Sequence, residues 1–123
     1  MRIETTVPLA DWRTVAPAAQ RAEALGFDGL TTPEIANDPF IPLAFAAVAT
    51  ERIQLGTAIA VAFARSPMVV ANLAWDLQVN SRGRFALGLG PQVKGHNERR
   101  FSVPWSAPVP RLREYIEALR AIW

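Results

Sequence analysis

Residues 83–105, GRFALGLGPQVKGHNERRFSVPW, join a strand-like apolar run to residues that could contact a ligand. Four of the chain's seven glycines lie in this stretch, and two of them, Gly88 and Gly90, end the apolar run. The only histidine, His96, and its neighbour Asn97 follow at once. Glycine removes the side chain that would keep a ligand away from the main chain, and loops that follow strands often carry binding groups. The spacing therefore predicts a ligand site at this strand end.

Several kinds of site are excluded by the same residues. A dinucleotide fingerprint needs a third glycine where Val93 stands, and a P-loop needs a lysine where His96 follows Gly95. The chain has no cysteine and only one histidine, which excludes thiolate chemistry and metal centres built on Cys or on several His side chains. We therefore predict no metal site.

The charge pattern bears on nucleic-acid binding. The net charge is only +2, from 13 basic and 11 acidic residues. Lys94, Arg99 and Arg100 lie close together among aromatic residues, as in grooves that bind single strands, but a glutamate interrupts the cluster. We expect these cations to be solvated in a loop or paired with Glu114 and Glu117, and we predict no nucleic-acid partner.

Alternating strand and helix patterns must position the candidate site. Short β-branched or apolar runs at residues 3–7, 27–32, 53–61 and 84–89 alternate with four helical patterns. Asp38 and Ser66 are predicted N-caps before prolines, and Gly26 is a predicted helix end. Strand–helix alternation requires a parallel sheet, because each crossover returns the chain to the same edge. The pattern predicts an α/β fold with four adjacent parallel strands, and it leaves an open sheet and a barrel as alternatives.

Charged residues outside the strand ends have structural interpretations. Asp76 and Arg84 are predicted to pair and to fasten the third helix to the fourth strand, and Arg65 is predicted to act in a similar way. The start of the chain reads as a strand rather than a secretory signal, and no segment has the ~18 consecutive apolar residues of a membrane-spanning helix. A soluble, cytoplasmic protein with no membrane partner is the expectation.

Longer motifs carry a family resemblance. Residues 75–90, WDLQVNSRGRFALGLG, resemble the signature of the luciferase-like monooxygenase superfamily. The continuations QVKGHNERRFSVPW and LREYIEALRAIW, and the upstream GFDGLTTPE and DPFIPLAFAA, are similar to its coenzyme F420-dependent oxidoreductase branch. The resemblance covers the whole chain. It implies a (β/α)8 TIM barrel that binds coenzyme F420, or alternatively FMN, at the carboxyl ends of its strands and transfers hydride between this cofactor and an organic small-molecule substrate.

The resemblance also implies roles for individual residues. Family members have a bulge with a non-proline cis peptide in the third strand, which by position is the Ala58–Ile59 bond and which lies behind the cofactor ring. At the fourth strand end, backbone would lie against the ring. The implied cofactor-binding residues are Ala58, Ile59, Gly88, Gly90 and Asn97.

Two further residues are implied to face the substrate. Glu34 ends the second strand, where the family places an acid near the cofactor ring, and His96 would line the substrate side. The branch usually has a histidine shortly after this acid, whereas this chain has Asn37. An amide cannot titrate near neutral pH, so Asn37 cannot take over a proton-transfer role.

The chain length predicts an incomplete barrel. A (β/α)8 barrel takes about 250 residues, so residues 1–123 are expected to be its N-terminal half, ending after the helix that follows strand 4. In the family, most residues that bind the cofactor phosphate come from the later strands. Four strands would leave two free edges and an apolar inner face, which predicts a homo-oligomer or a complementing chain. A non-catalytic half-barrel fragment or partner-binding module is the alternative.

Overall fold

The computed structural model describes residues 1–123, which form short parallel strands covered by helices. The strands are β1 Glu4–Thr6, β2 Gly29–Thr32, β3 Gln54–Thr57, β4 Ala60–Val61, β5 Phe85–Ala86 and β6 Leu89–Gly90. The α-helices are α1 Val15–Ala24, α2 Phe40–Ala49, α3 Pro67–Asn80, α4 Lys94–Arg100 and α5 Pro108–Ile122. Single 3-10 turns cover Trp12–Thr14 and Ala62–Ala64.

The sheet has the order β1-β2-β3-β5, and a second pair, β4-β6, continues it. Every pairing is parallel. The predicted adjacent parallel strands in chain order are therefore confirmed. Two of them are interrupted, because the predicted strand 53–61 divides into β3 and β4 at residues 58–59 and the predicted strand 84–89 divides into β5 and β6 at residues 87–88.

The two faces of the sheet differ in character. Leu30 and Leu55 are register partners on the face that the helices cover, and both are buried in the main apolar core. On the other face, the register places polar and small residues side by side: Glu4, Gly29 and Gln54 in one row, and Thr6, Thr31, Gly56 and Ala86 in the next. The expectation of an apolar inner face is wrong for these strands, because residues that pack against facing strands need not be large or apolar.

The helix boundaries follow their capping residues. Ser66 accepts a hydrogen bond from the amide of Val69, and Asp38 Oδ1 accepts from the amides of Phe40 and Ile41. After α1, Gly26 has φ +84°, a left-handed conformation that suits glycine. The predicted caps and the predicted helix end are confirmed.

One helix was not expected. Residues 94–100 were predicted to be loop but form α4, with Arg99 and Arg100 in its last turn. Lys94 lies 4.0 Å from Glu98 within the helix, and the guanidinium of Arg100 donates to the carbonyl of Ile35. The predicted ion pairs with Glu114 and Glu117 are therefore wrong, because the helix directs these cations toward its own turns and the loop after β2.

Arg84 also has different partners from those predicted. Its side chain is buried and donates to main-chain carbonyls and to a threonine hydroxyl instead of to Asp76. Asp76 is exposed, and its carbonyl accepts from the side chain of Asn80. The predicted Asp76–Arg84 pair is wrong. Arg84 instead joins the end of α2 to the turn before β5.

The helices are short or polar throughout. None of them combines the length and the apolar character that crossing a lipid bilayer requires.

Candidate functional site

The carboxyl ends of β2, β3 and β5 meet at one edge of the sheet. The amide of Ala58 donates to the carbonyl of Thr32 at 2.9 Å, and the amide of Glu34 donates to the carbonyl of Ile59 at 3.2 Å. On the other side, the amide of Ala60 donates to the carbonyl of Gly88 at 2.9 Å. The structure therefore brings together the predicted residues of three separate strand ends.

Residues 58 and 59 present an open surface at this edge. The peptide bond between Ala58 and Ile59 is cis, as the family resemblance implied. Ala58 is exposed and Ile59 is half-buried. No hydrogen bond within the protein uses the carbonyl of Ala58 or the amide of Ile59. This short segment thus offers a small side chain and an unpaired donor and acceptor to a ligand.

The two glycines at the fourth strand end lie close to other protein atoms. A Cβ at Gly88 would overlap the carbonyl oxygen of Thr57, and a Cβ at Gly90 would lie 2.9 Å from the side chain of Ile59. Protein atoms therefore fill the space that side chains at these positions would need. Gly88 and Gly90 therefore allow the neighbouring strand and the Ile59 side chain to approach, and the implied contact of their backbone with a cofactor ring stays a prediction.

Glu34 is an internal anchor of the site. It is buried, and its Oε2 accepts from the amide of Val61 at 2.7 Å and from Arg65 Nη1 at 2.7 Å. Oε1 accepts from Arg65 Nη2 at 3.0 Å. Because both carboxylate oxygens are bound within the protein, the expectation that Glu34 faces the substrate is wrong in this structure.

Arg65 has partners at the site that the sequence did not indicate. It was predicted to fasten secondary-structure elements, but nothing in the sequence indicated that it would bind Glu34 and Asp38 together. Burial lowers the pKa of Arg65, but its bonds to Glu34 and Asp38 outweigh this effect and raise the pKa, so the guanidinium stays charged. The only signal in the sequence was its position, one residue before the Ser66 cap that starts α3.

His96 and Asn97 lie on α4, and their surroundings differ. His96 is exposed. Asn97 is completely buried, and its Nδ2 donates to the carbonyls of Pro91 at 2.8 Å and Val93 at 3.1 Å. Its Oδ1 has no partner. In this arrangement Asn97 holds the segment that leads from β6 into α4.

The site is an open face rather than a closed pocket. Cavities of about 600 Å³ between α2 and α3, and of about 460 Å³ between α5 and the start of α3, lie apart from Ala58. At the strand ends, the buried carboxylate is bound within the protein, and the only histidine is exposed. The arrangement can therefore hold a flat ligand against main chain.

Comparison with known protein families shows the family of the chain. A model of the luciferase-like monooxygenase family matches residues 2–123. The chain belongs to this family.

Two relatives show how much of the family sequence is present. An uncharacterized protein of Mycobacterium tuberculosis is 58% identical over 108 residues, which are 88% of this chain and 32% of that protein. Another protein of the same organism, whose name describes it provisionally as a coenzyme F420-dependent oxidoreductase, is 40% identical over 107 residues, or 83% of this chain and 30% of that protein. The chain spans about a third of the length of these curated relatives.

Solved structures show the fold. The monooxygenase RslO1 of Streptomyces bottropensis matches with a TM-score of 0.86 at 24% identity, covering 100% of this chain and 43% of that one. The coenzyme F420-dependent tetrahydromethanopterin reductase of Methanopyrus kandleri matches with a TM-score of 0.79 at 23% identity, covering 94% and 38%. The oxygenating constituent of 3,6-diketocamphane monooxygenase of Pseudomonas putida, solved with FMN, matches with 0.85 at 17%, covering 100% and 39%. The predicted α/β fold, the N-terminal part of a luciferase-like TIM barrel, is confirmed.

Proposed function

We propose that this chain provides the ring-binding part of a flavin- or deazaflavin-dependent oxidoreductase. In this proposal, residues 58 and 59 lie behind the cofactor ring. Hydride transfer to or from an organic substrate is the chemistry that such a cofactor supplies. The chain's own residues bind and orient the cofactor and exclude water from one of its faces.

The observation that carries the proposal is the exposed, unpaired backbone at Ala58 and Ile59. Buried polar main-chain groups normally have partners within the protein, whereas here a free acceptor and a free donor lie on neighbouring, solvent-accessible residues at the edge where barrel enzymes place their active sites. Flavin and deazaflavin rings carry carbonyl and N–H groups of the complementary kinds. The methyl side chain of Ala58 allows a flat ring to approach closely.

Coenzyme F420 is the cofactor that we propose first, with FMN as the alternative. The name of the 40% identical relative favours F420. The structural neighbours include one protein named for F420 and another that was solved with FMN, so the fold accommodates either ring. We propose an organic small molecule as the substrate.

The remaining residues would support binding in different ways. We propose that His96, which is exposed after the fourth strand end, lines the substrate side. Asn97 would keep the connection between β6 and α4 in place through its bonds to Pro91 and Val93. Glu34 would hold the backbone at Val61 without contacting the substrate.

We also propose that a complete site needs further β/α units, from the same polypeptide, a complementing chain or a second copy. Two observations support this. The sheet described here has β1 and β5 at its edges, and the matched relatives are about three times as long as the matched region. We expect the chain alone to bind the ring part of the cofactor weakly, with a Kd of ~0.1–1 mM, or roughly −4 to −5.5 kcal/mol.

Fluorescence titration of the chain with coenzyme F420 and with FMN tests the proposal. Ala58→Phe should weaken binding at least tenfold, because a phenyl ring would occupy the open face, and it should leave the fold intact because Ala58 is exposed. Ala24→Phe is the matched control. Ala24 is also exposed, but it lies at the end of α1, where the chain returns to the amino end of β2.

Two results would contradict the proposal. Absence of binding of both cofactors at millimolar concentration would leave the half-barrel fragment or partner-binding module as the better description. Equal binding by wild type and Ala58→Phe would show that the ligand lies elsewhere.

A further inference from the structure

Arg65 lies where three segments of the chain meet. It follows the 3-10 turn Ala62–Ala64 and precedes α3. Its guanidinium donates from Nη1 to Glu34 Oε2 at 2.7 Å, and from Nη2 to Glu34 Oε1 at 3.0 Å and to Asp38 Oδ2 at 3.0 Å. Nη1 also lies 3.3 Å from the carbonyl of Val61. The contact with Glu34 is therefore a bidentate pair, which fixes direction as well as distance.

Glu34 connects Arg65 to the exposed backbone at residues 58 and 59. Its carboxylate accepts from the amide of Val61 at 2.7 Å, and its own amide donates to the carbonyl of Ile59 at 3.2 Å. These two bonds hold the chain on the far side of the exposed Ala58. If the carboxylate rotated, Val61 would lose its acceptor, and the segment would be held only by the neighbouring strands.

The local charges make Arg65 necessary for this arrangement. Glu34 and Asp38 are two carboxylates bound to one guanidinium, and the Glu34 side chain is only 4% exposed. A buried carboxylate without a cation is strongly disfavoured. Asp38 also caps α2 through its other oxygen, so it cannot move away without loss. Removing the guanidinium should therefore displace Glu34 rather than leave it in place.

We propose that Arg65 is a positioning residue for the cofactor-binding segment: it orients Glu34, which holds residues 59–61 so that Ala58 presents a flat face. This inference rests on the proposed function. In this proposal Arg65 itself does not contact the cofactor. It differs from a purely stabilising residue because its loss should change the local order of the segment and the affinity for the cofactor more than it changes global stability.

Arg65→Lys is the informative variant, because it keeps the positive charge. A single ammonium group cannot reproduce the planar fork that holds both Glu34 oxygens. We expect the variant to fold, to exchange the Val61 amide hydrogen at least tenfold faster than wild type, and to bind coenzyme F420 five- to tenfold more weakly. Exchange of core amides, such as that of Leu55, should change much less.

Arg82→Lys is the matched control. Arg82 also pairs with a glutamate, Glu51, but both side chains are largely exposed, at 80% and 70%. We expect this variant to match wild type in the exchange of Val61 and in cofactor affinity.

The outcomes separate this inference from the proposed function. If wild type binds the cofactor and Arg65→Lys matches it in affinity and in Val61 exchange, the positioning role is overturned. If exchange accelerates equally at Leu55 and Val61, the role is global stabilisation and the inference is again overturned. If wild type binds neither cofactor, the proposed function fails, and selective acceleration at Val61 would still support the positioning of the segment by Arg65.

Discussion

Replacing the buried Arg84 should lower the free energy of unfolding more than replacing an exposed arginine does. All five guanidinium N–H groups have acceptors: Nε donates to Ser81 O at 2.7 Å, Nη1 to Thr50 Oγ1 at 3.0 Å and Ile53 O at 2.8 Å, and Nη2 to Ala47 O at 2.9 Å and Thr50 O at 2.8 Å. Arg84 is only 7% exposed, so water cannot replace these bonds.

The size of the effect follows from the number of bonds that a substitute can keep. Arg84→Met removes all five donors and leaves buried carbonyls without them, which should cost about 3–5 kcal/mol, as for other disrupted buried networks. Arg84→Lys keeps the charge and at most three donors. Arg84→Lys should therefore lower the free energy of unfolding by about half as much as Arg84→Met. A hydrogen bond to a charged group contributes roughly 1.5–3 kcal/mol, but only when its geometry is retained.

Urea unfolding followed by circular dichroism measures these differences by linear extrapolation. Arg82→Met is the control two residues away, where the side chain forms an exposed pair with Glu51 and should change stability by less than about 1 kcal/mol. If Arg84→Met costs no more than Arg82→Met, the carbonyl network does not hold α2 to β5 and the reasoning is refuted.

Three other changes have measurable outcomes. Burial raises the pKa of Tyr115, the only tyrosine, to about 12. The contribution of the neutral phenol to stability is therefore complete below pH 10 and is lost as the pH rises to about 12. A midpoint of phenolate absorbance near pH 10 would contradict this. Burial opposes ionisation of Glu23, but hydrogen bonds from three successive amides hold its pKa below the ordinary 4.5. Its contribution to stability is therefore present above pH 4.5 and is lost as the pH falls through the lower pKa of the folded state, so Glu23→Gln should flatten the acid branch of a profile of stability against pH. Gly88→Ala should lower stability by about 1–3 kcal/mol, more than Gly90→Ala, because the backbone oxygen of Thr57 cannot move aside as a side chain can; equal melting temperatures would refute this order.

The elements that the sequence predicted well are those whose signals are local. Apolar runs gave the four strand positions, and capping residues such as Ser66 gave helix starts within one or two residues. Helix α4 was missed because KGHNERR contains a glycine and no apolar periodicity. Its only buried side chain is Asn97, which is held by the carbonyls of Pro91 and Val93.

The candidate site could be predicted in position but not in the roles of its residues. The strand and helix pattern indicated which strand ends would meet, and the family resemblance identified Ala58 and Glu34 among their residues. It did not show that Glu34 would turn inward, because its partner Arg65 is 31 residues away and carries no distinguishing pattern. The absence of a side chain at Gly88 indicated a close approach, but only the structure shows that the approaching group is the carbonyl of Thr57.

Backbone-amide NMR of the chain during titration with coenzyme F420 tests the central claim most directly. We expect saturable shifts that are largest at Ile59 and its neighbours 58–61, with smaller shifts at Gly88 and residues 89–90. Amides on α1 should remain unchanged. Shifts confined to the cavity between α2 and α3, or no saturable shift at millimolar ligand, would contradict the claim that residues 58 and 59 form the cofactor-binding surface.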